Sequence, residues 1–279
     1  MCRDCGCQQA NHHANQGSDE HRTGVEHEHE HWINGRLIRH SHSPFLPGDS
    51  AIPFVERPRK ITLEQAVLAK NDRIAQENRN WFERHGTRVL NLISSPGSGK
   101  TLLLEKSVEL LRRESPDFKM AILTGDQERD FDAQRLKIVG ADVLQLNTVS
   151  SCHLDASMIQ KELGAFVRPD YRLLVIENVG NLVCPAAFDL GENQKVALLS
   201  TPEGEDKPSK YPLLFHEASL IVLTKMDLVP YLNWNLELCE QHIRKVNSSA
   251  PILRLSAKTG EGMNQWMGFL KGTQIESRA

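Results

Sequence analysis

The sequence has no run of about 18 apolar residues, the length that a membrane-spanning helix requires. Its first ten residues, Met1–Ala10, contain no apolar stretch, so we expect no ordinary secretory signal. It also has no basic block, and its 33 Lys and Arg are outnumbered by 36 Asp and Glu, for a formal net charge of −3. These absences argue against a membrane span and a general nucleic-acid surface, and we expect a soluble cytoplasmic protein.

Cysteine is scarce, and three of the six residues lie within the first seven positions, as Cys2, Cys5 and Cys7. Thiols in a chain without an export signal favour metal or redox chemistry over a disulfide framework. Three sulfurs this close together could share one ion with the α-amino nitrogen, and that donor set suits planar Ni(II). A disulfide between Cys2 and Cys5 is the alternative interpretation.

Histidine is concentrated in the same region, where eight of the 12 histidines precede residue 43. Residues 1–60 lack apolar periodicity and cannot bury enough apolar area to offset the entropy lost on ordering. We interpret residues 1–60 as a flexible Cys/His-rich arm that handles metal, with a simple solvated tail as the alternative. The eight histidines are His12, His13, His21, His27, His29, His31, His40 and His42.

Beyond the arm, the apolar pattern predicts one helix followed by an α/β domain. The helical spacing of apolar residues over residues 61–86 predicts a leading helix, with Thr62 as its N-cap and Gly86 as its stop. From residue 87 to residue 279, short β-branched runs alternate with amphipathic stretches, which predicts a doubly wound fold with a mostly parallel sheet. The predicted strands are Val89–Ser94, Met120–Thr124, Val143–Leu146, Leu173–Ile176, Val196–Leu199, Leu220–Leu223 and Ile252–Leu255. The predicted helices begin near Lys100, Asp130, Leu154, Asn235 and Met263.

A phosphate-binding motif, Ser94–Thr101, follows the first of these strands and opens a predicted helix. It has the P-loop spacing Gly-x-x-x-x-Gly-Lys-Ser/Thr except that Ser94 replaces the first glycine. Its two glycines allow backbone N–H groups to surround phosphate oxygens, while Lys100 would neutralise the β- and γ-phosphates and Thr101 would bind Mg²⁺. The predicted phosphate-binding residues are Gly97, Ser98, Gly99, Lys100, Thr101 and Leu102.

Two further elements indicate that the base is guanine. Thr224–Asp227 follows an apolar strand and is similar to the Asn/Thr-Lys-x-Asp element of GTPases. The Asp227 carboxylate would accept two hydrogen bonds that adenine cannot donate, and an unpaired buried acceptor costs about 1–3 kcal/mol. Ser256–Lys258, after the last strand, is similar to the further guanine-contacting loop. We therefore predict GTP and GDP as ligands, with base contacts from Lys225, Asp227, Ser256, Ala257 and Lys258.

Acidic residues at two strand ends suit magnesium binding and catalysis. Asp126 follows one strand and is predicted to bind Mg²⁺ with Thr101, although it could simply be a turn residue. Glu177 ends another strand, where many such proteins have Asp, and its contact with the ion would pass through water. Gly180 stands where its N–H could reach the γ-phosphate. The predicted catalytic residues are Lys100, Asp126 and Glu177, and no residue is assignable as the base that positions water.

A second set of metal ligands lies within the predicted domain. Cys152 and His153 precede a helix, and Cys184 lies seven residues beyond Glu177, so both segments follow the carboxyl ends of strands. Two thiolates and one imidazole form a soft site suited to Ni(II) or Zn(II). Two buried small hydrophobic cysteines are the alternative.

Together these motifs resemble the HypB family, the nickel-incorporation GTPases of hydrogenase maturation. The resemblance covers residues 61–279 and the first seven residues. The segments that carry it are Cys2–Cys7, Ser95–Thr101, Cys152–Asp155, Glu177–Pro185 and Thr224–Asp227.

The resemblance implies a GTPase fold of the class that includes the signal recognition and MinD proteins. It also implies a GTP-promoted homodimer that delivers nickel to the hydrogenase large subunit with a small partner nickel metallochaperone. Cys2, Cys5 and Cys7 match a tight N-terminal nickel site, whereas Cys152, His153 and Cys184 match a site for zinc or nickel. Thr224 departs from the Asn that many members have.

Three other functions are compatible with parts of the sequence. A urease-maturation GTPase shares the P-loop and the guanine element, but it is expected to carry a Cys-Pro-His motif in place of the separated ligands. A nickel storage protein would not need the intact Lys100, Thr101 and Asp227. A P-loop kinase of small molecules has no use for Thr224–Asp227. Slow intrinsic GTP turnover is expected, because no arginine finger or water-positioning residue is assignable.

Overall fold

The computed structural model describes residues 63–126, 131–148 and 152–275, and the strands at residues 27–33 and 36–42. The chain divides into two units, Met1–Arg59 and Lys60–Ala279, and each is described by itself. The predicted thiol ligands Cys2, Cys5 and Cys7 lie outside the described residues.

The first unit contains an antiparallel hairpin of β1 (His27–Ile33) and β2 (Arg36–His42). The sequence analysis, which interpreted residues 1–60 as a flexible arm, did not predict these two strands. The period-2 alternation was concealed because histidine, and not an apolar residue, occupies one set of alternating positions. Asn34-Gly35, between the strands in the sequence, is the dipeptide that two-residue hairpin loops favour.

The second unit is a doubly wound α/β domain whose sheet has the strand order β5-β4-β6-β3-β7-β8-β9, with every pairing parallel. The strands are β3 (Arg88–Ser94), β4 (Met120–Asp126), β5 (Asp142–Asn147), β6 (Leu173–Glu177), β7 (Gln194–Ser200), β8 (Leu220–Thr224) and β9 (Ile252–Arg254). The helices are α1 (Leu63–His85), α2 (Lys100–Glu114), α3 (Phe131–Ile138), α4 (Ala156–Glu162), α5 (Cys184–Ala187), α6 (Lys207–Lys210), α7 (Pro212–Glu217), α8 (Leu236–Val246) and α9 (Met263–Leu270).

The sheet is covered on both faces because its central strands are apolar on both. In β3, Leu90 and Leu92 belong to a core shared with α2, α3 and α9. Val89 packs on the opposite face with α1 and α4, and Ile93 packs there with α7 and α8. Within the described residues, no helix is both long and apolar enough to cross a membrane.

All seven predicted strands are present, and their ends lie within two residues of the predicted ends. The helix predicted near Leu154 begins at Ala156, because the Asp155 carboxylate caps it by accepting from the Met158 N–H at 2.9 Å. The sequence analysis missed the short helices α5, α6 and α7. Each carries proline in its first turn and is too short to show a helical period.

Helix α1 is fastened to the domain by buried asparagines. The Asn71 amide donates to the Asp189 carbonyl at 2.7 Å and accepts from the Ala156 N–H at 2.9 Å. The fully buried Asn78 amide donates to the carbonyls of Ala156 and Leu190 at 2.8 and 3.1 Å. Helix α1 therefore holds together the start of α4 and the segment before β7.

We predict that Asn78→Ala lowers the free energy of unfolding by about 2–3 kcal/mol, because it removes the donor for two buried carbonyls. Gln76→Ala is the matched control, since Gln76 is exposed on the same helix and its side chain bonds to its helix neighbours Asn80 and Arg79. Its effect should stay within about 0.5 kcal/mol. Urea denaturation measures both, and equal effects would show that these buried bonds do not hold α1.

Candidate functional site

The predicted P-loop forms the connection between β3 and α2. Gly97 and Gly99 have φ angles of 72° and 97°, which side-chain-bearing residues rarely adopt, and Gly99 directly precedes the first residue of α2. The Lys100 side chain is buried and its ammonium donates to the Ser94 hydroxyl at 2.7 Å. Burial lowers the pKa of Lys100, while nearby carboxylates, first among them Glu177, oppose that shift.

The departure of Ser94 from the P-loop pattern has a structural explanation. Ser94 is the last residue of β3 and pairs with Leu198 of β7, so its backbone is that of a strand and does not need glycine. Its hydroxyl oxygen instead accepts a hydrogen bond from the Lys100 ammonium. This bond holds the lysine side chain against the loop.

A cavity of about 710 Å³ opens above the P-loop. Its wall brings together the predicted residues Gly97, Ser98, Gly99, Lys100, Thr101, Leu102, Asp126, Glu177 and Gly180. It also includes residues that the sequence analysis did not single out, namely Asp132, Arg135, Asn178 and Asn181. Cys152 lies on the same wall, so the predicted phosphate site and one predicted metal ligand share a cavity.

Glu177 and Thr101 face each other inside this cavity. The Thr101 hydroxyl donates to the Glu177 carboxylate at 2.8 Å. The second carboxylate oxygen of Glu177 is buried without a hydrogen-bond partner. Burial raises the pKa of Glu177 to about 7, although Lys100 and the Thr101 hydroxyl act in the opposite direction. A hydroxyl, a buried unsatisfied carboxylate oxygen and the nearby Asp126 form a set of hard oxygen donors that fits Mg²⁺.

Two glycines permit close approaches around the cavity. A Cβ atom at Gly180 would lie 2.9 Å from Cγ of Pro96, so the segment after β6 packs directly against the P-loop. A Cβ atom at Gly125 would lie 2.8 Å from Cγ of Leu154, the residue after His153. Larger side chains at either position would separate segments that carry predicted site residues.

A second cavity, of about 280 Å³, adjoins the P-loop at Gly99 and Leu102 and collects the predicted guanine residues. The Ser256 hydroxyl donates to the Asp227 carboxylate at 2.7 Å. The Lys225 ammonium donates to the Gly97 carbonyl at 2.6 Å, and its backbone has a positive φ of 58°. The wall includes Lys225, Asp227, Ser256, Ala257 and Lys258.

Thr224 joins the guanine element to the P-loop, because its buried hydroxyl donates to the Ser98 carbonyl at 2.7 Å. The threonine that replaces the common asparagine therefore still makes a contact with the phosphate-binding loop.

The predicted metal ligands Cys152, His153 and Cys184 lie together, with their ligand atoms within 4.8 Å of one another. The two sulfurs are 3.0 Å apart as free thiols, and Sγ of Cys152 lies 3.8 Å from Nδ1 of His153. The His153 ring stacks on Phe188 at 3.9 Å between centroids. Among the residues that the structure describes, this is the one group of three or more such side chains with metal-binding spacing.

The environment of this Cys/His triad disfavours charge on Cys184 and on His153. Burial, and then the neighbouring Cys152 thiol, raise the pKa of Cys184. Burial lowers the pKa of His153, although Asp155 opposes that shift. A divalent cation would compensate for the charge on two adjacent thiolates, so the donor chemistry fits a soft ion.

A buried amide connects the triad to the phosphate cavity. Asn178 follows Glu177, and its carbonyl oxygen accepts from the N–H groups of Leu154 at 3.3 Å and Val179 at 2.9 Å. Its amide nitrogen donates to Asn91, in the middle of β3, at 3.1 Å. Asn91 in turn donates to the buried Glu192 at 3.1 Å. The sequence analysis did not predict this series of hydrogen bonds. The one signal for it was a polar residue, Asn91, inside an apolar strand.

Comparison with known proteins gives the family. The family model described as the CobW/HypB/UreG nucleotide-binding domain matches residues 88–254. The chain is 48% identical over 235 residues to the hydrogenase maturation factor HypB of Azotobacter vinelandii, with 83% of this chain and 77% of that protein covered. It belongs to the HypB family. The same factor of Escherichia coli K12 is 48% identical over 219 residues, with 78% and 74% covered.

Two solved structures of the family have the same fold. HypB from Helicobacter pylori in complex with nickel is 38% identical, covers 72% of this chain and 94% of its own, and gives a TM-score of 0.66. HypB from Archaeoglobus fulgidus is 39% identical, covers 74% and 98%, and gives a TM-score of 0.68. The sequence resemblance to HypB and the predicted doubly wound P-loop fold are thus confirmed.

Glu177 should give the protein a pH-dependent stability that Glu177→Gln lacks. Between about pH 4.5 and 7 the unfolded chain releases this proton while the folded protein retains it, so stability falls as pH rises, by up to about 3 kcal/mol. Urea denaturation without Mg²⁺ or nucleotide, at about pH 5 and pH 8, measures the difference between the two proteins. Parallel pH profiles would show that the buried carboxyl is not protonated at neutral pH.

Proposed function

We propose that this chain is a GTP-hydrolysing nickel metallochaperone that binds Ni(II) and delivers it to the hydrogenase large subunit during [NiFe]-hydrogenase maturation. The observation that carries the proposal is the shared cavity, whose wall contains both the P-loop and the metal-ligating Cys152. Nickel as the cargo is supported by the solved complex of the Helicobacter pylori relative with nickel.

In the proposed reaction, the P-loop binds the phosphates of GTP and water attacks the γ-phosphorus atom. The bond from that atom to the β–γ bridging oxygen breaks, and GDP and inorganic phosphate are released. Lys100 is placed to neutralise the β- and γ-phosphates, and the N–H of Gly180 to contact the γ-phosphate. Thr101 and Asp126 would hold Mg²⁺, with Glu177 beside them, and the ion would neutralise phosphate charge. Intrinsic turnover is expected to be slow, since no residue is assigned to position water.

Nickel would enter at two kinds of thiol site. Cys2, Cys5 and Cys7 would form the tighter site, since thiolates are strong donors and the loop that closes is short. The triad would be the site that responds to nucleotide. Zn(II) is a second possible occupant of the triad, because two thiolates and an imidazole also suit that ion.

The nucleotide state would affect metal affinity at the triad through short segments that join the P-loop to the metal ligands. Gly180 packs on Pro96 of the P-loop, only four residues before Cys184. Asn178 binds the backbone beside His153. Loss of the γ-phosphate would move the segment after Glu177, and a shift of about an ångström would spoil the geometry of a metal–thiolate bond.

The proposed partners are a second copy of the chain, a small nickel metallochaperone and the hydrogenase large subunit, all in the cytoplasm, where thiols stay reduced. Val183 supports the homodimer, because this apolar side chain is 58% exposed directly beside Cys184. GTP would promote the dimer. The client could also be a urease, since a relative 37% identical to this chain carries the name hydrogenase/urease maturation factor HypB.

Asp227→Asn should shift base preference from guanine towards xanthine nucleotides, because an amide can donate where the carboxylate could only accept. We expect a loss of GTP preference of about tenfold or more, equivalent to one buried hydrogen bond. Competition binding of GTP, XTP and ATP measures it. Lys100→Ala is the control, since Lys100 faces the phosphates and its loss should weaken the binding of all three nucleotides by a similar factor without changing their order. An unchanged preference for GTP in the Asp227 variant would rule out Thr224–Asp227 as the guanine site.

Metal affinity at the triad should differ between a GTP analogue and GDP, with a coupling of about 1–3 kcal/mol that Asn178→Ala reduces. Nickel and zinc titrations of a chain lacking residues 1–60 measure the affinity in each nucleotide state. Asn247→Ala is the matched control, because Asn247 is another buried asparagine and bonds carbonyls that do not line the cavity, such as that of Phe215. Equal metal affinities in both nucleotide states would end the gated-release mechanism and leave the triad as a structural site.

A further inference from the structure

Arg135 of α3 is a charged residue of the phosphate cavity that the proposed reaction does not use. Of the described residues that line this cavity, Lys100 and Arg135 are the two with a cationic side chain. Arg135 shares the wall with Glu177 and Gly180, which we place beside Mg²⁺ and the γ-phosphate, and the described wall of the guanine cavity does not include it. Its side chain therefore lies on the phosphate side of the P-loop and not on the base side.

The helix that carries Arg135 is held in place by apolar packing. Ala133 and Leu136 are buried in the core that α3 shares with α2. Asp132 and Arg135 are about one turn apart on α3, and both line the cavity. The buried residues thus fix one side of α3, and the charged residues on another side of the helix reach the cavity.

The Arg135 guanidinium has a defined orientation because it forms a bidentate pair with Glu105 of α2. Its Nε and one of its Nη atoms donate to the two carboxylate oxygens of Glu105, each at 2.8 Å. The Glu105 side chain is only 13% exposed, and Oδ1 of Asp132 lies 3.7 Å from the other Nη. Glu105 follows Thr101 by one turn of α2, so both residues lie on the same face of that helix. The guanidinium is therefore anchored one turn from the hydroxyl that is predicted to bind Mg²⁺.

The pair with Glu105 does not exhaust what Arg135 can bind. Its two bonds occupy fewer than half of the N–H groups of a guanidinium. The charge of Arg135 also acts inside the cavity: burial is the largest influence on the pKa of Glu177 and raises it, whereas Arg135 lowers it. The Arg135 side chain is 47% exposed, and a salt bridge with that exposure contributes little to stability. Attachment of α3 to α2 therefore does not by itself account for an oriented arginine on the cavity wall.

We propose that Arg135 contacts the γ-phosphate of bound GTP and stabilises the negative charge that grows on the phosphate oxygens during hydrolysis. A guanidinium suits this role because its planar N–H groups match phosphate oxygens and it stays protonated throughout the reaction. When the bond from the γ-phosphorus atom to the bridging oxygen breaks, Arg135 donates hydrogen bonds and transfers no proton. GDP lacks the γ-phosphate, so the same contact would distinguish GTP from GDP. The inference rests on the proposed GTP hydrolysis and adds to Lys100 a second cation from this chain.

The test compares two substitutions of Arg135 in the full chain with Mg²⁺ present. Arg135→Ala should lower the affinity for a non-hydrolysable GTP analogue about tenfold or more, while the affinity for GDP stays within about twofold. Single-turnover GTP hydrolysis should fall about 100-fold or more, because charge on the γ-phosphate loses a cation. Arg135→Lys keeps the charge without the planar fork and should give values between those of Arg135→Ala and wild type. Competition with a fluorescent guanine nucleotide measures both affinities.

Arg112→Ala is the matched control. Arg112 also joins α2 to the residue that follows α3, because its guanidinium donates to the Val139 carbonyl at 3.3 Å, but it does not line the cavity. This variant should leave both affinities and the hydrolysis rate unchanged. Equal losses of GTP-analogue and GDP affinity in Arg135→Ala would overturn the inference, and so would wild-type values in that variant or a matching loss in Arg112→Ala. A wild-type chain that does not hydrolyse GTP would refute the proposed function, whereas hydrolysis that is insensitive to Arg135 would refute this inference alone.

Discussion

The parallel sheet is the constraint on which both candidate sites depend. Because all seven strands of the second unit run in one direction, their carboxyl ends lie along a single edge, and the segments that leave them meet there. Ser94, Glu177 and Thr224 are the last residues of three strands that lie close together in the sheet. The apolar cores on both faces fix those ends, so the cavity wall is built on rigid elements although much of it is loop.

Both sites also depend on two buried polar residues, Asn91 and Glu192. Burying a polar or charged side chain costs more free energy than burying an apolar one. Their hydrogen bonds compensate for the cost of burial and end at Asn178, beside the phosphate cavity. A half-satisfied network of this kind would be less stable than an apolar core. Its presence beneath the two sites suggests that it fixes the position of Asn178, which supports the backbone at Leu154 and Val179.

Much of the second unit could be predicted from the sequence because its signals are local. Apolar runs of strand length gave the seven strands, and the P-loop and guanine motifs named residues that line two adjoining cavities. Asp132, Arg135 and Asn178 could not be found in this way, because nothing in their neighbourhood indicates a position on the cavity wall. The hairpin was missed for a different reason. Its period-2 pattern is formed by His and Glu, and a search for apolar alternation does not detect such a pattern.

The hydrogen bonds that attach α1 make this helix part of the smallest folding unit that contains the triad. Asn71 and Asn78 hold the start of α4, and they also hold Asp189 and Leu190, just beyond the Phe188 ring that stacks on His153. A fragment that began at β3 would lack the hydrogen bonds from α1 to the two segments that follow the triad residues, at Ala156 and at Asp189 and Leu190. A shortened protein is therefore expected to keep the triad intact only if it begins before α1.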